Sequence, residues 1–266
     1  MTVIPIGILV ATLILVLLSI EAGYRLGQGA RRRTDDEKES PVSAMSSTVL
    51  GLLAFILAFT FGIVSARFDT RKELVREEAN ALRTAYSRSA FLPEPDRAVA
   101  ATLLRNYVDD RLLATRPGSL DKVPALMLAA DHVQRQLWDM AVANARKDMN
   151  SDVAALYIEA LNDVTNLHWM RVAIGLQMRI PTAMWLILYA LVVLSMIGVG
   201  YQTAIASSKR TWVALILALS FSLVMALIAE LDRPQSGMIT VTQQPLEDLR
   251  VWMDAGAGTP TASPLQ

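Results

Sequence analysis

Cysteine is absent from the 266 residues, and histidine occurs only twice. No disulfide framework, thiolate metal site or cysteine nucleophile is therefore available. His132 and His168 have no second histidine or paired carboxylate at ligand spacing. Both read as solvated or packed helix residues, and no metal is expected. A charge of one sign is also lacking. Lys+Arg 25 balances Asp+Glu 25, which excludes a strongly basic nucleic-acid binder. Nor is there a GxxxxGKS/T, GxGxxG, GxSxG or HExxH run. The phosphate-binding, hydrolase and metalloprotease signatures are thus missing, and neither an enzyme nor a cofactor is indicated.

What the chain has in excess is apolar sequence. Hydrophobic residues make up 53% and mean hydropathy is +0.36, against about 45–50% apolar in a soluble domain. The excess sits in four uncharged blocks, and a bilayer span needs about 20 such residues. Val3 to Ile20 ends at Glu21, with Tyr24 at interface depth. Residues 1–10 hold no Lys or Arg and no A-x-A site follows, so a span is expected here and not a cleaved signal. Ser46 to Ser65 ends at Arg67. Pro181 to Tyr201 opens on a proline, which a first helical turn tolerates, and carries Trp185 and Tyr201 near its ends. Trp212 to Ala229 ends at Glu230, and the short loop Gln202 to Thr211 makes the last two blocks an antiparallel hairpin. Backbone groups in hydrocarbon must pair internally, so all four are helices. The expected fold is an all-α membrane protein with transmembrane helices at about 3–22, 46–66, 181–201 and 211–230. The expected divisions are a first helix pair (1–66), an extramembrane helical insert (67–180), a second pair (181–232) and a tail (233–266).

The insert reads as helix throughout. Phe68, Val75, Ala79, Leu82 and Tyr86 share one helical face. No breaker separates them from the second span, so one helix is expected from about 46 to 90, stopped by Leu92-Pro93-Glu94-Pro95. A second helix follows from Asp96 to Ala114 with Val99, Leu103, Tyr107 and Leu112 inward, then a turn at Arg116-Pro117-Gly118. A third helix runs from Val123-Pro124 to about Met149. Ser151 caps a fourth, with Leu156, Ala160, Val164, Leu167 and Ile174 inward, continuing into the third span. The run Asp69, Arg71, Lys72, Glu73, Arg76, Glu77, Glu78 alternates in sign and reads as a solvated face or, beneath a pore, a charged vestibule. Gly23, Gly27 and Gly29 precede Arg31 to Arg33 and read as a flexible basic loop at the membrane, the alternative being a phosphate-holding turn.

Basic residues in short loops mark the cytoplasmic side. The loops 21–45 and 202–211 hold seven: Arg25, Arg31, Arg32, Arg33, Lys38, Lys209 and Arg210. The other side holds eight near its membrane edges: Arg67, Arg71, Lys72, Arg76, Arg171, Arg179, Arg233 and Arg250. A strict count discounts the long insert and places it outside, but the balance is close.

No acidic or basic residue lies inside a span; Glu21, Arg67 and Glu230 stand at the ends. Coupled carriers place ionisable groups near the midplane, so the pattern argues against a carrier and leaves a passive pore open. Phe55, Phe59 and Ile63 are spaced by four on the second span. They pack against lipid or helices, or, in about five copies around an axis, form a hydrophobic constriction that gates by dewetting.

Three stretches carry a resemblance. They are LLAFILAFTFGIVSARFDTRKELVREEANALRTAYSRSAFLPEPDR (52–97), LLRNYVDDRL (103–112) and ELDRPQSGMITVTQQPLEDL (230–249). With the spacing of the spans, they resemble the bacterial bestrophin-like domain family, which is distantly similar to bestrophin channels. The similarity to bestrophins themselves rests on two spans, a helical insert, two spans, and then Glu230, Pro234, Gly237, Pro245, Leu246 and Leu249. It implies a homopentameric ring in the inner membrane, with lipid and further copies of the chain as partners and no nucleic acid. Phe55, Phe59 and Ile63 would be the pore neck. Arg67 would stand at the pore mouth or pair with Glu230, and Pro234 and Gly237 would form the turn after the last span. Insert and termini would be cytoplasmic, against the strict loop count. Only Glu247 and Asp248 stand where animal bestrophins carry an acidic calcium clasp, so calcium gating is not expected. A non-transporting membrane-anchored scaffold or sensor, its insert binding a partner, remains the alternative.

Overall fold

The structure, a computed structural model, describes residues 3–32, 39–116, 118–177, 179–206, 212–233 and 239–257. The described residues form helices α1 (Val3–Arg31), α2 (Glu39–Arg88), α3 (Asp96–Ala114), α4 (Val123–Ala145), α5 (Asp152–Val172), α6 (Thr182–Ile205), α7 (Trp212–Asp232) and α8 (Gln244–Ala257). Four of these are long and apolar enough to cross a membrane: α1, α2, α6 and α7. The chain divides into two compact units, Met1–Phe68 with Arg179–Thr240, and Asp69–Met178 with Val241–Gln266.

In the first unit α1 packs against both α6 and α7. The core is Val16, Leu53, Leu57, Val64, Leu188, Val192, Met196, Ala218, Met225 and Ile228 with their neighbours. Lipid tails are as apolar as leucine, so helix association there relies on close packing. The α1–α6 contact is built from glycine. A Cβ on Gly23 would collide with the Ile197 carbonyl, one on Gly27 with Ala204 and the Tyr201 carbonyl, and one on Gly200 with the Ile20 carbonyl. The stretch from Glu21 is therefore not the flexible loop expected. It continues α1 to Arg31, supported by an i,i+4 pair between Arg25 and Glu21 at 2.7 Å. A helical glycine costs about 1 kcal/mol relative to alanine, and here it permits backbone-to-backbone approach. α2 meets α6 where the Ser46 hydroxyl donates to the Gly198 carbonyl at 3.1 Å.

α2 is continuous through the expected junction and ends at Arg88, just before a short 3-10 turn, Ser89–Phe91. In the second unit Leu82 and Ala85 of α2 pack with Leu104, Tyr107 and Val108 of α3, Leu137 of α4, Tyr157, Leu161 and Val164 of α5, and Leu246 and Met253 of α8. Two stripes are partly rotated from their expected phase. α3 buries Ala100, Leu104, Tyr107 and Val108, leaving Val99 exposed. α5 buries Ala160 and Val164 as expected, together with Tyr157, Leu161 and His168, leaving Leu156 exposed. A helix turns 100° per residue, so the difference is one step around the helix. In α5 that step turns His168 toward buried partners, whereas Tyr107 of α3 is inward as expected. The Ser151 hydroxyl caps α5, accepting from the Ala154 N–H at 3.2 Å. α4 stops at Ala145, short of Met149.

α5 does not continue into the third span. It gives way to a π-helical turn, Ala173–Gln177, and α6 begins afresh after Pro181. Proline lacks an N–H and drives the residue before it out of the helical region. The N–H of that residue, Ile180, donates instead to the Asp232 carboxylate at 3.0 Å.

Candidate functional site

α2 has one side of its spanning segment packed and one side open. Ser46, Leu53, Leu57, Thr60 and Val64 face inward. Phe55 and Phe59, at 66% and 62% exposure, face outward, with Ala58, Gly62 and Ala66 also exposed beside them. A Cβ at Gly51 or Gly62 would meet nothing within 4 Å. Ile63 is half-buried. Steps of four residues drift about 40° each around a helix, so the open side passes from Phe59 to Gly62 and Ala66, with Ile63 at its margin.

Arg67 follows on the same helix. It is half-buried, and its Nη1 is buried with no hydrogen bond among the described residues. The buried Glu230 carboxylate accepts from the Ile239 N–H at 3.0 Å. No direct contact between Arg67 and Glu230 is among those of the described residues. Pro234 and Gly237 lie outside the described residues.

The second unit encloses a polar cluster that sequence reasoning missed. Glu78 of α2 is fully buried, and its carboxylate pairs with Arg111 of α3 at 3.0 Å and with Arg171 of α5. Tyr107 donates to Glu78 at 3.2 Å and lies 2.9 Å from His168 Nδ1. Gln134 of α4 donates to the Tyr107 oxygen at 3.4 Å, and Arg171 donates to the Gln243 side-chain Oε1 at 3.1 Å. Burial pushes the Glu78 carboxyl up, but Arg171 and Arg111 together outweigh it and hold the group below its ordinary value. Burial, with the Glu78 charge beside it, pushes the Tyr107 hydroxyl up, so it stays protonated. Burial and the neighbouring Arg111 push the His168 imidazole down. The expected solvated charge run is thus split: Glu73 and Glu77 are exposed, whereas Arg71 and Glu78 are buried. A signal was present. Glu78 lies between Val75 and Leu82 at i+3 and i−4, within the apolar stripe itself.

The Bestrophin-like domain model matches residues 10–246, most of the chain. The chain belongs to the bestrophin-like family. The bestrophin-like architecture is shared with two variants of a bacterial bestrophin homolog from Klebsiella pneumoniae. Each matches with a TM-score of 0.69 at 14% identity, over 96% of this chain and 99% of that one. A third crystal structure, described only as a membrane protein, matches with the same score, identity and coverage. No curated protein matches by sequence. At this identity the likeness is one of fold, and the side chains of the bestrophin-like chain carry any functional argument on their own.

Proposed function

We propose that this bestrophin-like protein assembles as a homo-oligomeric ring, a pentamer, and forms an ion channel in the bacterial inner membrane with α2 facing the axis. The observation that carries this is the open side of α2. The exposed sides of the other spans are mainly aliphatic, as in Ile6, Val10, Ile14 and Leu18 of α1 or Leu186, Ile187 and Leu194 of α6, with Trp212 exposed at the start of α7, which suits lipid. α2 instead alternates Phe55 and Phe59 with Ala58, Gly62 and Ala66. Small residues let helices from neighbouring copies approach closely, and the rings leave a narrow apolar constriction that gates by dewetting. In this arrangement Phe55, Phe59 and Ile63 form the neck, Arg67 stands at the mouth, and the insert and termini are cytoplasmic.

The test is ion flux into liposomes, paired with the mass and symmetry of the purified particle. Wild type conducts, and Phe59→Ala, which removes a ring of aromatic side chains, raises the flux. A particle with five-fold symmetry accompanies it. No flux at any pH or potential overturns the channel. A monomer or two-fold dimer overturns the ring and leaves an anchored scaffold or sensor.

A further inference from the structure

α2 is one unbroken helix from Glu39 to Arg88, so its residues keep a fixed angular register along its whole length. At 3.6 residues per turn, eighteen residues make about five full turns. Glu77 therefore stands in line with Phe59, and Glu73 with Phe55, each about 27 Å further along the helix. Ala66, Thr70 and Thr84 lie within about 20° of the line from Phe59 to Glu77, and all three are exposed. The open side of the span is thus continued by an exposed polar line on the same helix.

The cations of α2 fall off that line. Measured from Phe59, Arg67 lies about 80° round to one side, and Arg76 and Lys72 lie about 100° and 140° round to the other. Within the run 69–78, Arg71 and Glu78 are buried. Lys72 pairs with Asp69 at 3.2 Å and Arg76 with Glu73 at 2.6 Å, so these four charges cancel in pairs. Glu77 is exposed, and no ion pair or hydrogen bond of its carboxylate is among those of the described residues. The run therefore brings one uncompensated charge to the line, and that charge is negative.

We propose that Glu77 sets the ion preference of the pore: its copies form a ring of carboxylates in line with the Phe59 neck, which draws cations in and turns anions away, so the permeant species are small inorganic cations. This role rests on the channel reading, in which α2 faces the axis. Any arrangement that turns Phe59 to the axis turns Glu77 the same way, because the two share one register. A cleft lined by one sign of charge between low-dielectric walls focuses the field and raises the local counter-ion concentration by about tenfold or more. Arg67, half-buried and turned aside, does not set the sign.

The test is the reversal potential of the full chain in planar phosphatidylcholine bilayers, which carry no net charge, under a potassium chloride gradient. Wild type should pass potassium over chloride by about tenfold or more. Glu77→Gln should lose most of that preference, and Glu77→Lys should turn it toward chloride. Asp139→Asn, which removes an exposed carboxylate from α4, should keep the wild-type ratio. A wild-type preference for chloride, or a ratio that Glu77→Gln leaves unmoved, overturns this role of Glu77 while the channel stands. An absence of current in wild type overturns the channel itself, and this role with it. Should the Glu77 variants fail to assemble, wild type at two salt levels decides. The ratio should fall between about 0.01 and 1 M, as the screening length shrinks from about 30 to 3 Å. A ratio that stays constant overturns selection by a charged ring.

Discussion

Replacing Glu78 by glutamine removes the carboxylate that pairs with both Arg111 and Arg171 inside the second unit. Each arginine side chain is 12% exposed, and guanidinium cannot shed its proton. The variant therefore keeps two enclosed cations without a shared counter-ion. Breaking a buried pair in this way costs about 3–5 kcal/mol. At a few degrees per kcal/mol for a domain of this size, the midpoint falls on the order of 10–20 °C. The lack of native cysteine offers a direct assay. Ala130 is buried in this unit's core, and Ala130→Cys reports on this unit alone when heating exposes the thiol to a reactive dye. The pH dependence has a definite sign. The Glu78 carboxyl is held below its ordinary 4.5, so its contribution is fully present above that value and is lost as pH falls through the lower folded value. The gap between wild type and Glu78→Gln, followed by circular dichroism, should narrow below about pH 4.5. A midpoint within about 3 °C of wild type near neutral pH would refute the reasoning, because it would mean that the arginines find water or other acceptors.

Two further substitutions probe the first unit. Gly200→Leu forces a side chain into the Ile20 carbonyl and should lower the unfolding free energy from an SDS titration by about 1–3 kcal/mol. Gly29→Ala, where a Cβ meets nothing within 4 Å, should leave it unchanged or raise it; equal effects would show that α1 and α6 are not in backbone contact. Asp232→Ala strands the buried Ile180 N–H at a cost of about 1–3 kcal/mol. It should deprotect the first turn of α6 in hydrogen exchange, with Asp232→Asn intermediate, and unchanged protection would remove Asp232 from that role.

The spans and the long α2 were legible because hydrophobic runs and an uninterrupted 3.6-residue period are local signals. The stop at Leu92–Pro95 and the Ser151 cap were legible for the same reason. The polar cluster was not, because its members are 33 and 93 residues apart, Glu78 to Arg111 and Glu78 to Arg171. The place of Glu78 in the apolar stripe signals its burial, but nothing local says which cations it meets. The partial shift of α5 follows from that omission, since its aliphatic pattern fits either phase until His168 is turned inward, while α3 exchanges Val99 for Ala100 and Leu104 with Tyr107 inward in both readings. Gly23 and Gly27 misled for the opposite reason. Their local signal, a break next to arginines, was overridden by a partner helix far along the chain. Of the candidate pore residues, the outward placement of Phe55 and Phe59 matches the sequence pattern, while Ile63 lies at the edge of that side because a four-residue spacing overshoots the helical turn.

The α1–α6 contact has a mechanical consequence. Where the backbones touch at Gly23, Gly27 and Gly200, no side chain lies between them to change rotamer and absorb a displacement. Sliding either helix by one residue, about 1.5 Å, would carry Ile20, Tyr24, Ile197 or Tyr201 into space that only glycine leaves open. At this end of the seam α1 and α6 are therefore coupled, and α2 and α7, packed through side chains that can repack, give more readily.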